Sequence, residues 1–121
     1  MPWTFSQSTG RLSHNGVTVS GGYSGHGAGR NNNAMQAVRG VGPTPIGTYT
    51  IGPPHSSPHT GSYSMNLDPL PGTNTFGRIL LRVHGDSARH PGQASDGCII
   101  LPHAAREHMW TSHDHRVEVV R

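Results

Sequence analysis

At 121 residues the chain holds one domain, spanning 1–121, and leaves no room for a second of ordinary size. With 17 Gly, 10 Pro and only 31% hydrophobic residues it has a thin core and many turns, and 12% charged residues excludes a coiled coil or a charged disordered tail. Its net charge of +3 comes from nine Arg without Lys, dispersed from Arg11 to Arg121 in no stripe and not interleaved with aromatics, which argues against a nucleic-acid-binding surface.

The first predicted elements form a three-strand meander over 3–8, 11–14 and 17–23. Thr9-Gly10 and Asn15-Gly16 mark its turns, the second with a type I′ signature in which both residues take positive φ. Residues 21–33 (GGYSGHGAGRNNN) read as loop. Their alternating glycines lack the spacing and the lysine of a phosphate-binding loop. One helical turn is expected over 34–38, then a strand at 48–51, where Thr and Tyr suit a pleated surface. Residues 52–77 are rich in Pro, Gly, Ser and Asn, with a short strand at 63–67, and suit a lid or groove wall. RILLRVH, residues 78–84, is the most apolar stretch and is predicted as a central strand. After a loop over 85–96 come a buried segment at 97–101, a helix from Pro102 to about Ser112 and a closing strand at 116–120. The reading is a mostly β domain.

Cys98 is the only cysteine, so neither an intramolecular disulfide framework nor a Cys-based zinc site is available. The N-terminal residues MPWTFSQSTGRLSHNG lack the apolar run of an export signal, and no stretch is long enough to span a bilayer. A soluble chain without membrane insertion is expected.

The informative segment is HGDSARHPGQASDGCIIL, residues 84–101. His84 ends a hydrophobic strand, and Cys98 follows Ser95-Asp96-Gly97. A thiol of pKa about 8.5 is only a few per cent thiolate at neutral pH, so a nucleophilic cysteine needs a base beside it. An imidazole at the neighbouring strand end can serve. Gly97 has no side chain to obstruct a substrate carbonyl, and the N–H groups of Gly97 and Cys98 can hold a developing oxyanion. The plainer alternative makes Cys98 a small buried hydrophobe before Ile99 and Ile100.

These residues resemble the L,D-transpeptidase (YkuD-type) family, in which a His and a spacer precede Ser/Thr-His-Gly-Cys. Here the elements are His84-Gly85 and Ser95-Asp96-Gly97-Cys98, and Gly42-Pro-Thr-Pro-Ile-Gly-Thr-Tyr49 is similar to the family's strand entry. YSGHGAGRNN and FGRILLRVHGDS resemble most the L,D-transpeptidase-like antibacterial effectors of type VI secretion. The chain departs from the pattern where Asp96 replaces the second His, where Ile100 stands two places after the Cys in a usually polar position, and in a shorter spacer.

The resemblance implies a small L,D-transpeptidase-like β-sandwich or barrel with one or two short helices and no cofactor. It makes Cys98 the nucleophile, His84 the base and the Gly85 carbonyl the imidazole's orienter, with Asp86 a competing orienter or a loop cap. Ser95, Asp96, Arg89 and Tyr23 are further candidates for orienting groups or binding substrate. The implied substrate is the tetrapeptide stem of peptidoglycan, cut before its terminal D-alanine or exchanged there with a D-amino acid. The implied setting is synthesis in the cytoplasm, delivery by a secretion spike or carrier to a competitor's periplasm, and a periplasmic immunity protein in the producer. Two alternatives stay open. One is a zinc D-Ala-D-Ala-type peptidase, for which His90 to Asp96 falls one residue short of the ligand spacing and Pro58 keeps His55 and His59 off one helix face. The other is a non-catalytic wall-binding module using Tyr23, Tyr49, Tyr63 and Trp110 as platforms.

Overall fold

Local turn chemistry starts the fold as the sequence leads one to expect. In the computed structural model, which describes residues 2–121, β1 (Trp3–Ser6), β2 (Arg11–His14) and β3 (Val17–Gly21) form an antiparallel meander. Asn15 and Gly16 sit at φ 52° and 80°, the left-handed pair that a type I′ turn requires. The C-terminal strand β10 (Arg116–Val120) lies parallel to β1 and pairs on its other side with β5 (Gly47–Ile51). Alternation on these strands sends Trp3, Phe5, Tyr49, Ile51, Val117 and Val119 into the core.

The proline- and glycine-rich stretch at 52–77 is more ordered than its composition suggests. It forms β6 (His55–Ser57) and the nine-residue β7 (Gly61–Pro69), the longest strand among the described residues. β7 changes partner along its length, from β6 through the start of β8 (Arg82–His84) to β5. Beyond β8 the sheet continues through β9 (Ile99–Ile100) to β4 (Tyr23–Ser24), a two-residue strand inside the segment expected to be loop. The strand-dominated class is borne out, with one α-helix, α1 (His103–Thr111), and two single 3-10 turns at 27–29 and 33–35. The sheet runs β3-β2-β1-β10-β5-β7-β8-β9-β4 and does not close into a barrel. No helix among the described residues is long and apolar enough to cross a membrane.

The central strand expected over 78–84 is shortened to its last three residues. Ile79 and Leu80 are 78% and 74% exposed, while Arg78 is buried. The guanidinium reaches four backbone carbonyls, and Leu80 takes φ 59°, which breaks the extended run. Four hydrogen bonds to one cation outweigh the hydrophobic pattern locally. α1 packs on β7 and β8 through Ala105, Arg106 and Met109, so the helix covers the back of the strand that carries His84.

Candidate active site

The pair β8–β9 positions the two principal candidates. The strands are parallel, with Val83 opposite Ile99 and His84 opposite Ile100, and Val83 and Ile99 point into the core. Side chains alternate, so Arg82 and His84 share the opposite face, and Cys98 immediately precedes β9, with the Arg82 backbone N–H against its thiol. Cys98 thus sits at the start of the strand that lies beside the one ending in His84. Both line a cavity of about 420 Å³, together with Ile79, Leu80 and Arg82.

His84 is 4% exposed, and its Nδ1 lies 2.9 Å from the carbonyl oxygen of Gly85. A carbonyl only accepts, so Nδ1 carries the proton and Nε2 is left with its lone pair. Burial holds the imidazole below its ordinary pKa and outweighs the Gly85 bond; the charges of Arg106 and Arg82 push the same way as burial. Burial likewise pushes the Cys98 thiol up, against the Arg82 backbone N–H and the charges of Arg82 and Arg78. The thiol donates to the Leu80 carbonyl at 3.6 Å. Both shifts favour the uncharged forms, a thiol beside a neutral imidazole, over an ion pair.

Three buried hydroxyls fix the backbone of the cysteine. Ser95 Oγ donates to the Cys98 carbonyl at 2.6 Å and accepts from the N–H groups of Gly25 and Gly97 at 2.8 and 3.2 Å. Ser24 Oγ gives the same carbonyl a second hydrogen bond at 2.8 Å, and Thr44 Oγ1 donates to the Gly97 carbonyl. Sequence reasoning does not single out Ser24 or Thr44, although both lie in the segments that carry the family resemblance. Ser95 is fully buried with its hydroxyl saturated by backbone, which makes it a clamp and removes it from substrate binding.

Gly97 is required for a different reason from the one its sequence context suggests. Its φ is 126°, and a Cβ there would lie 2.1 Å from Arg78 Nη2, so the space belongs to the guanidinium and not to substrate. Arg78 in turn donates to the carbonyls of Gln36, Gly42, Pro43 and Asp96, joining the 36–43 segment to the cysteine loop. Arg78→Met would leave several of these acceptors without partners at about 1–3 kcal/mol for each that stays buried. The expected result is a fall of roughly 10–20 °C in Tm by calorimetry, with loss of native Cys98 protection from alkylation. A Tm within a few degrees of wild type would contradict this role.

The other candidates divide. The Asp86 carboxylate accepts from Tyr23 OH at 2.6 Å and from the N–H groups of Ser87 and Gly92. It caps the 85–96 loop, while Gly85 makes the bond to His84. Burial raises the Asp86 pKa, yet the Tyr23, Gly92 and Ser87 hydrogen bonds and the Arg30 charge outweigh it and hold the carboxyl below its usual value. Tyr23 is buried, accepts from Ala94 N–H, carries Arg30 over its ring and has its hydroxyl pushed up to about 12, chiefly by burial. It ties the loop down and offers no stacking platform. Arg89 is exposed and outside the lining of the Cys98 cavity. Asp96 does line that cavity, is largely exposed and approaches His26 Nδ1 at 3.6 Å.

Ile100 is 2% exposed, so its position presents no polar group. Among the described residues no three His, Cys, Asp or Glu side chains converge as a metal would need, and Asp96 pairs with His26, not with His90. A larger cavity of about 650 Å³ lies beside β5 and β10 and contains neither Cys98 nor His84. A family model, the Tlde1 domain, matches residues 18–121. A comparison with curated proteins found no match.

Proposed function

Because the chain belongs to the Tlde1 domain family of type VI secretion effectors, we propose that it is a cysteine-dependent enzyme acting on the tetrapeptide stems of peptidoglycan. The observation that carries the reading is the pairing of Cys98 with a His84 whose Nε2 lone pair is set free by the Gly85 carbonyl, both on one cavity. The resemblance of the His84 and Ser95–Cys98 segments to L,D-transpeptidases supplies the substrate class.

Substrate entering the cavity displaces the thiol from Leu80 and brings it to His84. Catalytic hydrogen bonds commonly tighten only in the complex. His84 Nε2 takes the thiol proton as Sγ attacks the carbonyl between the third stem residue and the terminal D-alanine. The Cys98 N–H supports the oxyanion, because Gly97 N–H is engaged by Ser95. The C–N bond then breaks, His84 returns the proton to the departing amine, and a thioester remains on Cys98. Water resolves it to a tripeptide, and the amine of a D-amino acid resolves it to an exchanged stem. Both remove donors from cross-linking.

In this reading the protein works in a competitor's periplasm after delivery on a secretion carrier. A periplasmic immunity protein guards the producer, and the exposed Ile79 and Leu80 at the cavity mouth give it an apolar contact. Purified protein should keep its activity on tetrapeptide stems in millimolar chelator and lose it on thiol alkylation. Loss in chelator with recovery on added zinc would overturn the mechanism.

A further inference from the structure

Arg82 shares a face of β8 with His84, lines the cavity with Cys98, and has no carboxylate partner among the described residues. Its Nε donates to Asn66 Oδ1 at 3.0 Å and its Nη1 to Ser57 Oγ at 3.2 Å. Both acceptors are neutral, so they fix the guanidinium without cancelling its charge. Of its five N–H groups two are engaged, which leaves three for a ligand. A second guanidinium, Arg39, lines the same cavity. The cavity's one carboxylate, Asp96, faces His26, and its side chain is 84% exposed. The cavity that holds the thiol therefore carries two guanidinium groups against one carboxylate, a net positive charge.

We propose that Arg82, assisted by Arg39, is the carboxylate-binding residue of this site and selects substrates carrying an anionic group next to the scissile bond. This rests on the cysteine reading above. Arg suits the role because its planar fork matches a carboxylate in two parallel hydrogen bonds, and Asn66 and Ser57 hold the fork in advance of binding. The anionic group has two sources in a stem peptide: the carboxylate of the terminal D-alanine and the side-chain carboxylate of the third residue.

The test compares alkylation of Cys98 by iodoacetate and by iodoacetamide, which differ in charge but react with the same thiolate. Their rate ratio cancels any change in thiolate fraction. Arg82→Gln should lower the iodoacetate-to-iodoacetamide ratio about tenfold, Arg82→Lys should keep part of it, and His84→Gln should leave it unchanged. An unchanged ratio in both Arg82 variants would overturn the proposal. A second arm uses three synthetic stems: the free acid, its C-terminal amide and the third-residue amide. Arg82→Gln should raise KM for the free acid by about 10–100-fold with kcat nearly kept. The amide that wild type already handles poorly, and that Arg82→Gln handles no worse, identifies the carboxylate bound. Equal losses on all three stems would make Arg82 a structural residue and overturn the proposal. If wild type turned over none of them, the substrate reading would fail, while the alkylation ratio would still decide the anion site.

Discussion

Cys98→Ala should abolish turnover of tetrapeptide stems and leave the fold in place. The side chain is 9% exposed and contributes one weak hydrogen bond, to Leu80. Removing a single sulfur beside a cavity costs about 1–2 kcal/mol at most, well within the stability of an ordinary domain. The backbone that presents it is held by hydrogen bonds from Ser24, Thr44 and Ser95 that do not involve the sulfur. Activity should fall to background, because without Sγ no thioester forms. Residual turnover at the wild-type rate, with circular dichroism unchanged, would show that Cys98 is the small buried hydrophobe of the plainer alternative.

The second large effect belongs to His84. His84→Gln keeps a donor near Gly85 but loses the base at Nε2, and kcat should fall by roughly 10²–10⁴-fold. The pH profile carries a separate signature. Burial holds the imidazole below its ordinary pKa of 6.5, so wild-type activity should persist into mildly acidic solution and fall only below that value. The same shift has a stability consequence of fixed sign. Below about pH 6.5 the unfolded chain takes up a proton that the folded chain resists, so stability declines as pH drops through that window. His84→Gln should remove both the acid limb of activity and this share of the acid loss of stability. The Cys98 shift acts at the other end. Because burial pushes the thiol up, alkylation by iodoacetamide should keep accelerating above the ordinary thiol pKa, with no plateau at neutral pH. A neutral plateau would reveal an ion pair that the resting geometry lacks.

What the sequence makes legible is mostly local. Asn15-Gly16 dictates its own turn, the alternation in β1 and β10 dictates which side faces the core, and His84 and Cys98 stand out because their chemistry depends on residue type and spacing. The features it hides depend on partners distant in the chain. β4 has only two residues and becomes a strand because β9 lies beside it. Arg78 reads as the polar start of an apolar strand. Its four acceptors sit at 36, 42, 43 and 96, a set that no window of sequence displays. Burying that cation turns Ile79 and Leu80 outward, which inverts the hydrophobic pattern. Arg106 repeats the lesson on α1, where it caps carbonyls of Ser62, Tyr63 and Leu101 from within the core. Tyr23, Asp86 and Ser95 lie close to His84 and Cys98 in the fold, but their partners are backbone groups, one another and Arg30: they hold the loop that carries the chemistry.

The central claim is that the thiol cuts or exchanges the fourth residue of the stem, and mass analysis of muropeptides tests it most directly. The protein is expressed in a Gram-negative cell behind an added export signal, with Cys98→Ala as the parallel culture. The account predicts that tetrapeptide stems decline while tripeptide stems or stems with an exchanged fourth residue accumulate, accompanied by swelling or lysis, and that the Cys98→Ala culture keeps a normal profile and grows. Killing with an unchanged muropeptide profile, or an equal change in the Cys98→Ala culture, would contradict it.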